Sequence, residues 1–509
     1  MSFRAALIQM RSGRDMARNF SDAKELIRDA AGRGLKVCLI EQGDIASATS
    51  QWSSKMVHGG LRYLEHYEFR LVRESLQERE VMLKIAPHLV RPAEFIVPHD
   101  ASMRPAWMVR MGLFMYDHIG GKISLPGSRT VPFPDARYSA GLKPVFPRGF
   151  FYSDTRVDDA RLTLINAMSA RELGADVRVR TKLLRGDRES GTWRLLLADA
   201  DTGAESMIEA RGVVNAAGPW VKRVLGEALN VKLDATVRLV KGSHIVVPRI
   251  HDQVHTYLLQ NNDKRVIFVI PYEDRFTLIG TTDVAIKTLE EGDGISDAET
   301  DYLLTAVNRY LAAPLKRNDI VWSYAGVRPL YDDGQADPSS ITRDYVLKVD
   351  APTGKLPLLS VFGGKLTTYR KLAEHVMEEL APFYSGLRGA WTSTQALPGG
   401  ESRDLAGALS ELQRKYAMLP ADFVAQVFKR HGDRSAKVLG SAKTLDDLGR
   451  RFGEGAHLLC ETEIDYCIRE EWARKAEDIL WRRSKCGLHM DAATREHATT
   501  FIAQRCKSR

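Results

Sequence analysis

Residues 21–44, SDAKELIRDAAGRGLKVCLIEQGD, constrain the fold more than any other stretch. Ser21 is a residue type that caps helix N-termini. Ala23, Leu26, Ile27 and Ala30 then recur on one helical face. Gly32 and Gly34 stop the helix, and LKVCLIE reads as a buried strand of a parallel sheet covered on both sides. A helix feeding such a strand is part of a dinucleotide-binding unit. Glu41 stands at the strand's carboxyl end, where an acid can bond a ribose hydroxyl, although a lone acid there is usually just solvated. Such a unit opens with a strand and a glycine-rich turn. The turn's place, residues 18–25, holds no glycine, and GxGxxG occurs nowhere in the chain.

Two later junctions repeat the strand–turn–helix logic. ARGVVNAAGPWVKRVLGE runs from an apolar strand into Gly218, with Pro219 suited to a first helical turn. A tight turn explains it equally well. LPLLSVFGGKLTTYRKLAEHVMEEL ends a strand at Phe362, turns at Gly363 and Gly364, and starts a helix over Lys365, Leu366, Thr367 and Thr368. Free N–H groups and the positive end of the helix dipole favour a phosphate or an electron-rich ring there.

Between them, Ser53, Ser54, Lys55, His58, Gly59, Gly60, Arg62 and Tyr63 fall within eleven residues. Adjacent glycines let a planar ring approach the backbone, and the polar side chains can bond that ring and an anionic substrate. A polar loop before a charged amphipathic helix has the same composition. Arg328 sits in GVRPLYDD and Arg343 in ITRDY. With Arg62 and Lys365 they are four cations on separate elements, enough for a dianion pocket if the fold gathers them.

At 509 residues the chain has room for two or three domains. The formal charge of +8 suits anionic partners, but both signs are interleaved, and no basic run or aromatic–basic repeat supports nucleic-acid binding. Five cysteines, none in a CxxC, point to a reducing compartment rather than to disulfides or a zinc site. No secretory leader opens the chain and no apolar run is long enough to span a bilayer. RPAWMVRMGLFMYDHIGGK mixes Trp107, Met111, Phe114, Met115 and Tyr116 with Arg104, Arg110 and Lys122. It is expected to be a core helix rather than a basic amphipathic surface element.

The motifs SSKMVHGGLRYLEHYEFRLVRESLQERE, YSDTRVDDARL, VNAAGPWVK, KGSHIVVPR, NDKRVIFVIPY, IGTTDV, GVRPLYDD, ITRDY and FGGKLTTYRKLAEH stand in one order over most of the chain. From about residue 27 to the C-terminus the sequence resembles the FAD-dependent, aerobic-type glycerol-3-phosphate dehydrogenases. Residues 3–31 instead resemble the start of the carbon–nitrogen hydrolases (nitrilases), which suggests a replaced head. The main resemblance implies oxidation of sn-glycerol 3-phosphate to dihydroxyacetone phosphate, with hydride passing from C2 to flavin N5 and electrons to quinone. It implies a cytoplasmic protein attached peripherally to the inner face of the cell membrane, and allows a homodimer.

By the same resemblance, Glu41 binds the adenosine ribose, and Ser53, Ser54, Lys55, His58 and Gly59 line the flavin ring. Gly218, Gly363, Gly364, Leu366 and Thr367 hold the rest of the cofactor. Arg62, Tyr63, Arg328, Arg343 and Lys365 take the substrate, with Arg328 steadying the developing alkoxide. His58 and His244 are the general-base candidates. A metal is not expected. Competing readings are a flavin-poor, impaired remnant and another amine- or hydroxy-acid-oxidising flavoenzyme.

The expected fold class is α/β. A Rossmann-like, doubly wound flavin domain takes residues 1–90, 150–222 and 341–388. An α+β substrate domain with a largely antiparallel sheet takes 91–149 and 223–340. An all-helical C-terminal domain takes 389–509.

Overall fold

The computed structural model describes residues 6–10, 28–101, 103–133, 135–263, 265–332 and 344–508. The glycine-free turn and Arg343 lie outside them.

A six-stranded sheet forms the first layer, in the order Tyr345–Asp350, Leu358–Gly363, Gly212–Asn215, Ala6–Met10, Cys38–Glu41 and Asp176–Val179. All neighbours are parallel except the first pair. Cys38–Glu41, Gly212–Asn215 and Leu358–Gly363 are buried along their whole length, as a sheet with both faces covered demands. Ala6–Met10 takes the central position, Ile8 opposite both Val214 and Leu39. Ala30 on the following helix packs into the core with Ile40, Val213, Leu359 and Val376. A three-stranded meander, Thr181–Glu189, Thr192–Asp199 and Glu205–Ala210, flanks this sheet.

The second layer is a ten-stranded sheet that is antiparallel except where Thr256–Gln260 meets Val90–His99. KGSHIVVPR, RVIFVIPY and FTLIG supply its strands Val237–Pro248, Val266–Tyr272 and Phe276–Gly280. Its far edge, Arg148–Val157 with Met56–Val57, comes from segments expected in the flavin domain. The boundary near residue 150 therefore falls inside the strand Arg148–Val157, and the chain returns to the first sheet through the helix Asp159–Glu172.

The C-terminal part is helical, with Leu405–Lys415, Ala421–His431, Glu461–Glu470 and Ala492–Lys507, apart from a short ladder between Arg451–Phe452 and Leu459–Cys460. It is bolted to the body by buried charge. Arg482 Nε donates to Asp44 at 2.6 Å and Arg483 Nη2 to Asp44 at 2.8 Å, while Arg161 pairs with Glu471 at 2.9 Å.

The helix Ala106–Ile119 overturns its expected place in the core. Only Leu113 and Tyr116 are buried, whereas Trp107 is 64% exposed, Phe114 55% and Met111 50%. The charged neighbours of this stripe belong to a surface element, because the stripe faces outward. Among the described residues no helix is long and apolar enough to cross a membrane.

Candidate active site

A cavity of about 630 Å³ opens where the two sheets meet. Three segments named from sequence line it: Ser53, Ser54, His58, Arg62 and Tyr63 from the first, Arg328 from the strand Trp322–Tyr331, and Gly364 to Thr367 from the last. Arg62, Arg328 and Lys365 thus converge on one space from elements far apart in the chain.

The turn after Leu358–Gly363 is built for close approach. Gly363 and Gly364 have φ of 77° and 110°, a region that side chains with Cβ rarely adopt. A Cβ on Gly363 would meet the Asp344 carbonyl at 2.7 Å. The 3₁₀ turn Leu366–Thr368 and the helix Tyr369–Leu380 follow, neither with a side-chain cap. The Thr368 N–H donates to the Lys365 carbonyl at 3.2 Å, and residues 364–367 line the cavity. Thr367 Oγ1 accepts from the His58 N–H at 3.3 Å and donates to the His58 carbonyl at 3.2 Å, tying the first wall to the last.

Arg328 is aimed rather than free to swing. Its guanidinium donates to Asp283 at 2.6 Å and to Thr281 at 3.3 Å. Lys365 lies 4.0 Å above the Tyr63 ring and donates to Ser75 Oγ at 3.2 Å. Both cations keep a partner, which fixes position; Tyr63 and Ser75 beside Lys365 are uncharged, whereas Arg328 is paired with a carboxylate.

Other expectations are corrected. Lys55 does not line the cavity: it is buried against Asp159, at 2.9 and 3.0 Å. Burial drives its pKa down and the Asp159 carboxylate opposes that. Asp159 also accepts from Ser53 Oγ at 2.7 Å, so it shapes the whole loop from beneath. Gly59 packs inward against Leu76 and Tyr116. His244 lies behind the wall, stacked on Tyr324 and bonded through Nε2 to Ser54 Oγ at 2.9 Å. His58 is half-buried and lines the cavity directly.

Glu41 ends its strand as expected and accepts from the Gly43 N–H at 2.9 Å. Gly218 opens the turn Gly218–Trp220 with φ of 54°, away from the cavity wall.

Sequence reasoning missed Asp159, and also Arg104, Arg265 and Arg309, which line the cavity with Asn261 and Asn262. Asp159 carried one signal, its place in YSDTRVDDARL, as did Arg265 in NDKRVIFVIPY and Arg104 at the head of RPAWMVRMGLFMYDHIGGK; Arg309 carried none. A buried acid also supports the loop from behind. Asp154 accepts from Tyr116 at 2.5 Å, and burial raises its pKa to about 6 against the pull of Arg79.

A glycine-lined turn with uncapped N–H groups, facing a cation-rich cavity beside a parallel sheet, defines a nucleotide-cofactor oxidoreductase. The family described as FAD dependent oxidoreductase matches residues 26–370, and the C-terminal domain of alpha-glycerophosphate oxidase matches residues 390–506. The chain belongs to the FAD-dependent oxidoreductases. It is 48% identical to the aerobic glycerol-3-phosphate dehydrogenase of Escherichia coli, over 94% of this chain and 95% of that one. It is also 48% identical to the D-erythritol 1-phosphate dehydrogenase of Brucella abortus, over 92% and 93%. The fold superposes on the crystal structure of a glycerol-3-phosphate dehydrogenase from Bacillus halodurans complexed with FAD, with a TM-score of 0.76, 24% identity, and 99% and 91% of the two chains covered. FAD fits the residues present: the Gly364–Thr367 wall offers glycine-flat backbone and uncapped N–H donors to an electron-rich ring edge.

Proposed function

We propose that this chain oxidises sn-glycerol 3-phosphate to dihydroxyacetone phosphate, and that the electrons leave to quinone. The observation that carries this reading is the convergence of Arg62, Arg328 and Lys365 on one cavity whose wall includes the Gly364–Thr367 turn. FAD, when bound, supplies the hydride acceptor.

The chain's own residues do the rest. Arg62 and Lys365 hold the phosphate. Arg328, locked by Asp283, lies against the hydroxyl that loses its proton and steadies the negative charge that develops there. His58 accepts that proton directly, or Ser54 passes it to His244 Nε2 across 2.9 Å. Glu41 serves the ribose and Gly218 and Gly363 the remaining cofactor, as their strand-end positions support.

Anaerobic addition of sn-glycerol 3-phosphate to the purified protein should bleach the flavin's visible band. An unchanged spectrum from flavin-replete protein overturns the reading. D-Erythritol 1-phosphate belongs in the same experiment, because the cavity runs on to Asn261, Asn262 and Arg309.

Residues 3–31 are read as a replacement for the family's own opening segment, since the family match begins at residue 26 and residues 18–25 hold no glycine. Weaker FAD retention than in a relative with the intact turn follows. Tight stoichiometric flavin through purification would exclude it.

Attachment to a membrane surface is supported by the exposed Trp107, Met108, Met111 and Phe114, with Tyr67 and Phe69 on the preceding segment also exposed. The quinone, the inner face of the cell membrane and a homodimer rest on the family resemblance. The three-part division is our reading of the two sheets and the helical end.

A further inference from the structure

We propose a divalent transition-metal site, of Zn²⁺ character, formed by Glu273, His457 and His489. It lies outside the catalytic cavity, which none of the three residues lines.

The site joins two parts of the molecule. Glu273 and Asp274 make the tight hairpin between the strands Val266–Tyr272 and Phe276–Gly280, both in the left-handed region at φ of 42° and 61°. His457 closes the turn Gly455–His457 and His489 the turn Cys486–His489, both in the C-terminal part. One ligand atom from each of the three side chains lies within 4.8 Å of the others. A tetrahedral ion with bonds of about 2.0–2.1 Å needs donor atoms roughly 3.3 Å apart. The difference is within the reach of side-chain rotation.

The His457 and His489 rings stack at 3.5 Å and 8°, so one ring must turn for both to meet a single ion. Two observations favour an ion over simple packing. Both ring nitrogens of His489 are buried with no hydrogen-bond partner among the described residues. Orphaned polar atoms in a native fold call for a water or an ion. Finally, His457 Nε2 lies 3.4 Å from Asp274 Oδ2, a carboxylate partner of the kind that orients metal-bound imidazoles.

The local charge is compatible. Lys429 Nζ is 3.5 Å from Glu273 Oε2 and partly exposed, so it can yield to an incoming cation. Two imidazoles and one carboxylate select Zn²⁺ over Mg²⁺ or Ca²⁺, which take oxygen ligands. A water completes the four-coordinate shell. With all three ligands from the protein and no substrate path, the ion is a clip between the substrate sheet's hairpin and the helical end.

The test uses the full-length protein, stripped with chelator and titrated with ZnCl₂ by calorimetry. One ion per chain and a higher melting temperature are expected. His489→Ala should abolish the stoichiometric event, and Asp274→Asn should weaken it about tenfold. Absence of stoichiometric binding to the wild-type chain overturns the proposal. So does equal binding by Glu273→Gln/His457→Ala/His489→Ala, even if that variant's stability is altered.

Discussion

The Lys55 ammonium sits 2.9 Å from one carboxylate oxygen of Asp159 and 3.0 Å from the other, with both side chains sealed from solvent. Removing one partner of such a pair strands the other charge. Asp159→Ala should therefore destabilise the protein by about 3–5 kcal/mol. The loop bearing Ser53 and Ser54 would lose its footing at the same time. Chemical denaturation and flavin content should fall together; unchanged flavin content with lowered stability would detach Asp159 from the loop's geometry.

Arg328 offers a subtler test. Arg328→Lys keeps the charge and loses the fork that joins Asp283, Thr281 and the cavity. A lost charge-assisted bond of about 1.5–3 kcal/mol predicts a fall in kcat/KM of roughly 10- to 100-fold. Melting temperature should barely change, because Asp283 still has a cation in reach. An unaltered kcat/KM for glycerol 3-phosphate would remove Arg328 from the reacting centre.

Acid should loosen the C-terminal part from the body. Burial alone would raise the pKa of Asp44, but Arg483 and Arg482 bring it from 3.8 down to about 2. A folded-state pKa below the unfolded one gives stability that is present above pH 3.8 and lost as pH falls towards 2. The shift corresponds to about 2 kcal/mol. Unfolding free energies measured across that window should fall for the wild type, with that component missing in Asp44→Asn. Parallel pH curves would refute the assignment.

The outward stripe of the helix Ala106–Ile119 predicts lipid binding. Trp107→Ser with Phe114→Ser removes two exposed aromatics. If each buries its ring in a bilayer interface at about 1.5–3 kcal/mol, vesicle partitioning should drop at least tenfold. Flotation with anionic vesicles, at low and high salt, reads this. Wild-type failure to float at either salt would end the membrane reading.

The sequence exposed the parallel strands because Cys38–Glu41, Gly212–Asn215 and Leu358–Gly363 are covered on both faces and so are apolar without alternation. It exposed the turns because Gly363 and Gly364 need positive φ. It misled on Ala106–Ile119 for a physical reason. Trp107, Met111 and Phe114 recur at i, i+4 and i+7, and that spacing looks identical whether the stripe meets protein or water. Lys55 was misplaced because a buried ion pair depends on a partner 104 residues away, which no local pattern encodes. Arg104, Arg265 and Arg309 were missed likewise, since only the cavity makes them neighbours.

Asp44 follows the strand Cys38–Glu41 by three residues, yet the guanidiniums that neutralise it arrive 438 and 439 residues later. Ribosomal synthesis must reach Arg483 before that carboxylate finds its partners. A premature stop codon upstream of them would thus strand a bare anion beside the central sheet, damaging the half of the enzyme that had already been made.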